Sequence, residues 1–256
     1  MYPQPPLLIL APLADEFDLA QLPWCDAAQK TVTVNQAKFT NLDMVEVIVD
    51  AMPFLLTRLT EEETSAALTL EPSDLPIRDF PSPGLSAIGV APGANLVCAR
   101  HVPESHRRLL SLGRWIGQSL NAAVAAWMPS GKLEGFASYG DMVERYLSEG
   151  RFPVPFHIAV AKVSGGRFRT KGLSHFTGQE IRLTVPPDYG PAEISDRVEE
   201  IVTELVADGR IDGPFRSKCG VRPETLIYAP GDDPDHVEMF IRRDAQDVIA
   251  AEEQGR

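Results

Sequence analysis

Pro191-Ala-Glu-Ile-Ser-Asp-Arg-Val-Glu-Glu-Ile-Val-Thr-Glu-Leu-Val206 is the stretch on which the fold turns. Ile194, Val198, Ile201, Val202, Leu205 and Val206 recur at i, i+4, i+7, i+8, i+11 and i+12, one continuous apolar stripe along an α-helix. Pro191 suits the first helical position, where the missing N–H is an orphan in any case, and Asp208-Gly209 stops the helix. Such a stripe must pack on an apolar layer, and the flanking sequence supplies strands. Glu180 to Val185 alternates, with Ile181, Leu183 and Val185 on one face and Glu180, Arg182 and Thr184 on the other. Upstream of it, Phe156 to Val163 and Arg167 to Phe176 read as two strands joined by a Ser164-Gly165-Gly166 turn. Downstream, Glu224 to Ala229 and His236 to Ile241 read as two more around Pro230-Gly231-Asp232-Asp233, followed by an acidic, helical and frayed tail over 244–256.

Further out lies a β-α-β pattern. Asn95 to His101 reads as a strand, Pro103 opens a helix running to about Leu120, and Ala122 to Trp127 reads as the next strand, ended by the turn Met128-Pro129-Ser130-Gly131. Gly113 and Gly117 share one helix face, a spacing that brings backbone close to backbone. Arg107, Arg108 and Arg114 exclude a membrane helix pair, which leaves close packing on a sheet. Tyr139 to Ser148 reads as a helix closed by Gly150. Between Leu70 and Gly93 five prolines and three glycines predict a loop or crossing connection, and a boundary between halves. Thr60 before Glu61-Glu62-Glu63 has the form of a helix cap with acids in the first turn. Thr31 to Phe39 and Met44 to Met52 suggest a hairpin around Asn41-Leu42-Asp43, and Leu7 to Leu13 a buried strand or docking arm. Trp24, Trp115 and Trp127 read as core anchors. Runs of strands joined by a few long helices give an α+β fold in two layers: a largely antiparallel sheet with amphipathic helices on one face. The expected division is an N-terminal part over 1–92, a hairpin plus a proline-rich connection packed on the same domain, an α+β domain over 93–243 and the tail over 244–256.

Thr170-Lys171-Gly172-Leu173-Ser174-His175-Phe176-Thr177-Gly178-Gln179-Glu180-Ile181 resembles the C-terminal region of bacterial proteins classed as domain of unknown function 4261. There a strand ending in Gly-Leu-x-x-Phe-Gly leads to x-x-Glu-Ile or x-x-Glu-Leu. Gly172, Leu173, Phe176, Glu180 and Ile181 fit; Thr177 stands where the pattern has glycine, with Gly178 one position late. Ala125-Ala126-Trp127-Met128-Pro129-Ser130 is similar to a small-residue, Trp and Pro-Ser stretch upstream in such proteins. The likeness spans roughly 96–241 and implies an intracellular bacterial α+β protein, with no catalytic residues or cofactor to carry over.

The 256 residues hold 36 Asp plus Glu against 24 Lys plus Arg, a net charge of −12. Such a chain repels nucleic acid and anionic lipid unless a local basic patch intervenes. Cys25, Cys98 and Cys219 lack the spacing of a zinc knuckle or redox pair, so free thiols in a reducing, cytoplasmic setting are expected. The run Leu7 to Leu13 has no basic residue ahead of it and is too short to cross a membrane, so neither a secretory signal nor a span is expected.

Phosphate-loop, dinucleotide, nucleophile-elbow and zinc-protease motifs are absent, and no cofactor is expected. In Cys98-Ala99-Arg100-His101 the two possible ligands point to opposite faces of a straight strand, so no metal is expected there. His157 and His175 on neighbouring strands, with Glu180 nearby, are candidates for acid–base chemistry; counting from a Val163–Arg167 pair, however, sets His157 opposite Leu173. Arg167, Arg169 and Lys171 share one strand face and are candidates for holding an anion. Cys219, after Lys218 in a glycine-containing loop, is the most reactive-looking thiol. These residues suggest a non-enzymatic protein that binds another protein or a small anionic ligand. The alternative is a hydrolase-like enzyme using His175 and Glu180 on an anionic substrate held by Arg167 and Arg169.

Overall fold

The computed structural model describes residues 4–14, 16–24, 32–35, 44–72, 84–99, 102–163, 165–218, 224–231 and 233–243. Cys25, His101, Cys219, most of the proline-rich stretch and the acidic tail lie outside these residues. The fold is α+β, and its contacts divide at His157–Ile158 into two compact units, Met1–His157 and Ile158–Arg256, rather than near residue 92.

The first unit carries strands β1 (Leu7–Pro12), β2 (Val32–Asn35), β3 (Met44–Val49), β4 (Met52–Arg58), β5 (Glu71–Pro72), β6 (Leu85–Pro92), β7 (Val124–Trp127) and β8 (Lys132–Gly135). Its helices are α1 (Glu61–Leu68), α2 (Pro103–Ser119), α3 (Phe136–Glu149) and the single turn α4 (Val154–His157). The sheet runs β2-β3-β4-β6-β1-β7-β8-β5, antiparallel except for β5 beside β8. The Leu7 run is thus a central strand, with Leu7 to Ala11 fully buried. Leu7 and Ile9 face α2, where an added Cβ on Gly113 would collide with Leu7; one on Gly117 would collide with the Phe136 ring. The two glycines therefore let α2 settle onto β1 and α3. Leu8 and Leu10 face the other way and cluster with Ala67 of α1, so helices cover both faces of this sheet.

Two expectations fail here for identifiable reasons. Leu85–Pro92 is not loop but β6, between β4 and β1, so the proposed boundary falls inside the sheet. Its Gly89 accommodates the ring of Pro5 where a Cβ would clash, and Pro92 ends the strand. Ala94–Ala99 is a 3-10 helix rather than a strand, with Leu96 N–H donating to Gly93 O at 2.8 Å. The cap at Thr60 forms as a full capping box: Glu63 N–H donates to Thr60 Oγ1 at 3.2 Å and Thr60 N–H to Glu63 Oε2 at 2.9 Å. Thr60→Ala is expected to lower stability by about 1 kcal/mol, read as a shift in the urea midpoint, while Thr60→Ser leaves it nearly unchanged.

The second unit contains β9 (Ala159–Lys162), β10 (Arg167–Lys171), the turn α5 (Ser174–Thr177), β11 (Glu180–Thr184), α6 (Pro191–Asp208), β12 (Phe215–Lys218), β13 (Glu224–Pro230) and β14 (His236–Arg243). Its sheet runs β12-β13-β14-β11-β10-β9, with β11 and β14 the parallel pair. Val198, Ile201, Val202 and Leu205 of α6 are buried, and the first three line an apolar groove with Phe168, Ile181, Leu183 and Met239 of the sheet. Arg197 interrupts the stripe yet is 1% exposed. Its Nε lies 3.0 Å from Glu224 Oε2 and its Nη1 2.7 Å from Glu200 Oε2. Tyr189 donates its hydroxyl to the other oxygen of Glu224. Burial, then the Glu224 carboxylate, push the Tyr189 phenol up to about 12, against the opposing pull of Arg243 over its ring.

A cationic sheet face as the candidate site

α6 covers one face of the second sheet, and side-chain alternation assigns the remainder to the other face. Register across the strands sets Arg216, Ile227, Phe240, Thr184 and Arg167 in one row. Ala229, Glu238, Arg182, Arg169 and Ala161 form the next. Lys171 and Arg242 extend the face at its two ends. Arg167, Arg169, Lys171, Arg216 and Arg242 are exposed, and Phe240 is 37% exposed at the centre. Arg182 pairs with Glu238 at 3.2 Å. Among the described residues none of the other five cations has an ion-pair partner. The helix on the opposite face carries the reverse sign: Glu193, Asp196, Glu199, Glu200, Glu204 and Asp208 against the buried Arg197. Charge is therefore segregated across the unit, and the cationic side is the uncovered one.

The remaining candidates occupy other places. Glu180 sits between β10 and α5, where five donors converge on its carboxylate: Thr170 Oγ1 (2.7 Å), Gly172 N (2.8 Å), Leu173 N (3.3 Å), and Ser174 N and Oγ (3.1 and 2.8 Å). Gly172, at φ +103°, turns the chain out of β10, and the carboxylate gathers the amides that follow. The expected strand to Phe176 accordingly stops at Lys171, and His175 lies on α5, edge-on to Phe176 at 5.0 Å between centroids. Saturated by donors, Glu180 holds a turn, where a general base needs an open lone pair.

His157 is on α4 rather than on a strand. Pro153 and Pro155 remove strand donors, and Pro153 O accepts from His157 N (3.2 Å) and faces its Nδ1 at 2.9 Å. The ring is 0% exposed, inside an aromatic cluster with Trp127 (4.5 Å), His106 (4.8 Å), Phe152 and Phe156 (both 5.1 Å). Such a ring packs the core of the first unit. Trp24 and Trp115, 4.8 Å apart, and Trp127 are all buried. The site residues brought together are thus the cations of β10, joined by Arg182, Arg216 and Arg242.

The chain matches no family model, no curated protein and no solved structure. The face itself therefore carries the functional argument. Sequence reading found its β10 row and missed its width. Arg182 was legible as the polar side of β11, but Arg216, Arg242 and Phe240 join it only through the β11–β14 parallel pairing, which no local signal announces. No helix among the described residues is long and apolar enough to cross a membrane.

Proposed function

We propose that the protein is a non-enzymatic binding protein whose second unit takes an anionic protein partner on the open face of its sheet. The observation that carries the reading is a set of exposed cations, Arg167, Arg169, Lys171, Arg216 and Arg242, without ion-pair partners among the described residues, on an uncovered face of a chain with net charge −12. Exposed like charges at alternate positions of one strand, as Arg167, Arg169 and Lys171 are, repel, and an anionic partner relieves that repulsion. A protein partner is favoured over nucleic acid because the face offers one aromatic ring, Phe240, where base-stacking platforms use several, and because the acidic α6 lies in the same unit. Membership of family 4261 belongs to the same proposal; of the residues carrying that resemblance, Gly172, Leu173, Phe176, Glu180 and Ile181, Gly172 and Leu173 donate to the Glu180 carboxylate at the end of β10 and Ile181 donates to Thr170.

Poly-L-glutamate is the probe. Binding followed by fluorescence anisotropy at low salt is expected to weaken about 30- to 100-fold in the triple variant Arg167→Glu, Arg169→Glu, Lys171→Glu, and to fall steeply with added salt in the parent. All three positions are exposed, so the variant is expected to melt as the parent does. Equal binding by parent and variant, or none by the parent, refutes the reading.

A further inference from the structure

β9 is the edge of the second sheet, and no described strand lies beyond it. Val163 N–H donates to Arg167 O at 2.7 Å, so antiparallel alternation turns the amides and carbonyls of Ala159 and Ala161 toward β10. Those of Val160 and Lys162 face outward. Natural edges are blunted by shortness, proline, bulges or charges, lysine above all, and β9 is four residues long. This one carries a single lysine and two exposed valines, Val160 (40%) and Val163 (48%).

The two sides of the edge differ in chemistry. On the α6 side lies a shallow apolar groove, lined by Val160, Phe168, Leu183, Val198 and Val202 among others. On the other side lie the small Ala159 and Ala161 and, one strand further in, Arg167, Arg169 and Lys171. Side chains of a strand added to β9 alternate between these two surroundings, about 10 Å from β10. Those on the α6 side lie against Val160 and this apolar lining and must be apolar. Those on the opposite face reach over the alanines to the cations and must be acidic.

We infer that β9 is extended by a short strand from a partner protein in which apolar and acidic residues alternate. The acidic half of this specificity rests on the anion-binding reading above; the backbone edge and the groove do not. A second copy of this chain fits poorly, because pairing β9 with β9 brings two cationic rows onto one continuous face.

The probe is a fluorescein-labelled Glu-Val-Glu-Ile-Asp-Val peptide, tested on the full chain. Lys162→Pro removes an outward N–H and no ladder bond; Lys162→Thr removes the same charge and keeps the N–H. The expected result is about tenfold weaker binding by Lys162→Pro than by Lys162→Thr, with hydrogen-exchange protection of the Val160 and Lys162 amides in the complex. A peptide with its apolar residues in one block and its acids in another is expected to bind more weakly. Equal binding by the two Lys162 variants, or protection elsewhere, overturns the inference. So does concentration-dependent dimerisation in sedimentation that Lys162→Pro abolishes, because it assigns the edge to a second copy. Poly-L-glutamate separates the two proposals: retained binding to it alongside loss of the edge result removes only the inference drawn here, whereas its absence in the parent removes the anion-binding reading.

Discussion

Glu180→Ala is expected to destabilise the second unit by about 3–5 kcal/mol. The substitution removes an acceptor shared by five donors, three of them backbone amides with no helical partner at the start of α5. Water replaces the carboxylate poorly because Glu180 and its neighbours Thr170, Gly172 and Leu173 are buried. Net hydrogen bonds to a charged acceptor contribute about 1.5–3 kcal/mol each when counted singly, but here the donors share two oxygens and the total is far from additive. Glu180→Gln retains one acceptor oxygen and is expected to fall between, at about 1–3 kcal/mol. Urea denaturation followed by hydrogen exchange of the Gly172 to Ser174 amides checks both points. If Glu180→Ala unfolds at the parental midpoint, the clamp contributes nothing to the fold, and the carboxylate is open to another explanation.

Breaking the Arg197–Glu224 pair from one side produces the second large effect. Arg197→Ala leaves Glu224 buried with the Tyr189 hydroxyl as its remaining neutral donor, and is expected to cost about 3–5 kcal/mol. Replacing the buried group, Arg197→Met with Glu224→Met and Tyr189→Phe, removes both buried charges together and leaves only the solvent-exposed Glu200 without its arginine. That variant is expected to lie within about 1–2 kcal/mol of the parent, because the desolvation penalty disappears along with the attraction. Denaturation of the single and triple variants distinguishes the cases. A triple variant as unstable as Arg197→Ala indicates that packing, and not the unpaired charge, sets the cost.

Legibility from sequence followed locality. The α6 stripe, the Thr60 cap, the Gly150 terminus at φ +75° and the Val163–Arg167 register all depend on residues a few positions apart, and each is found in the structure. The β3–β4 hairpin escaped notice because its turn is Asp50-Ala51, both at positive φ, where the expected signal is Asn-Gly. Arg197 escaped because periodicity counts apolar residues, and a buried arginine is silent until its partner on β13 is known. Glu180 was singled out as a carboxylate near His157 and His175 for acid–base chemistry, but its place in the turn depends on amides that its own sequence neighbourhood does not bring together until Gly172 turns. The cationic row on β10 was legible; its continuation onto β11, β14 and β12 required the sheet order.

The position of β1 has a consequence for biosynthesis. Leu7 pairs with Val90 on one side and with Trp127 on the other, and Gly113 closes over it. On the ribosome this very apolar strand emerges well before either neighbour; its two faces stay uncovered until α1 and α2 have been made, and its edges unpaired until β6 and β7 have. Pairing of both edges of β1 is therefore gated by translation through Trp127, and chaperone capture of Leu7 to Ala11 on stalled nascent chains should end once that residue has cleared the exit.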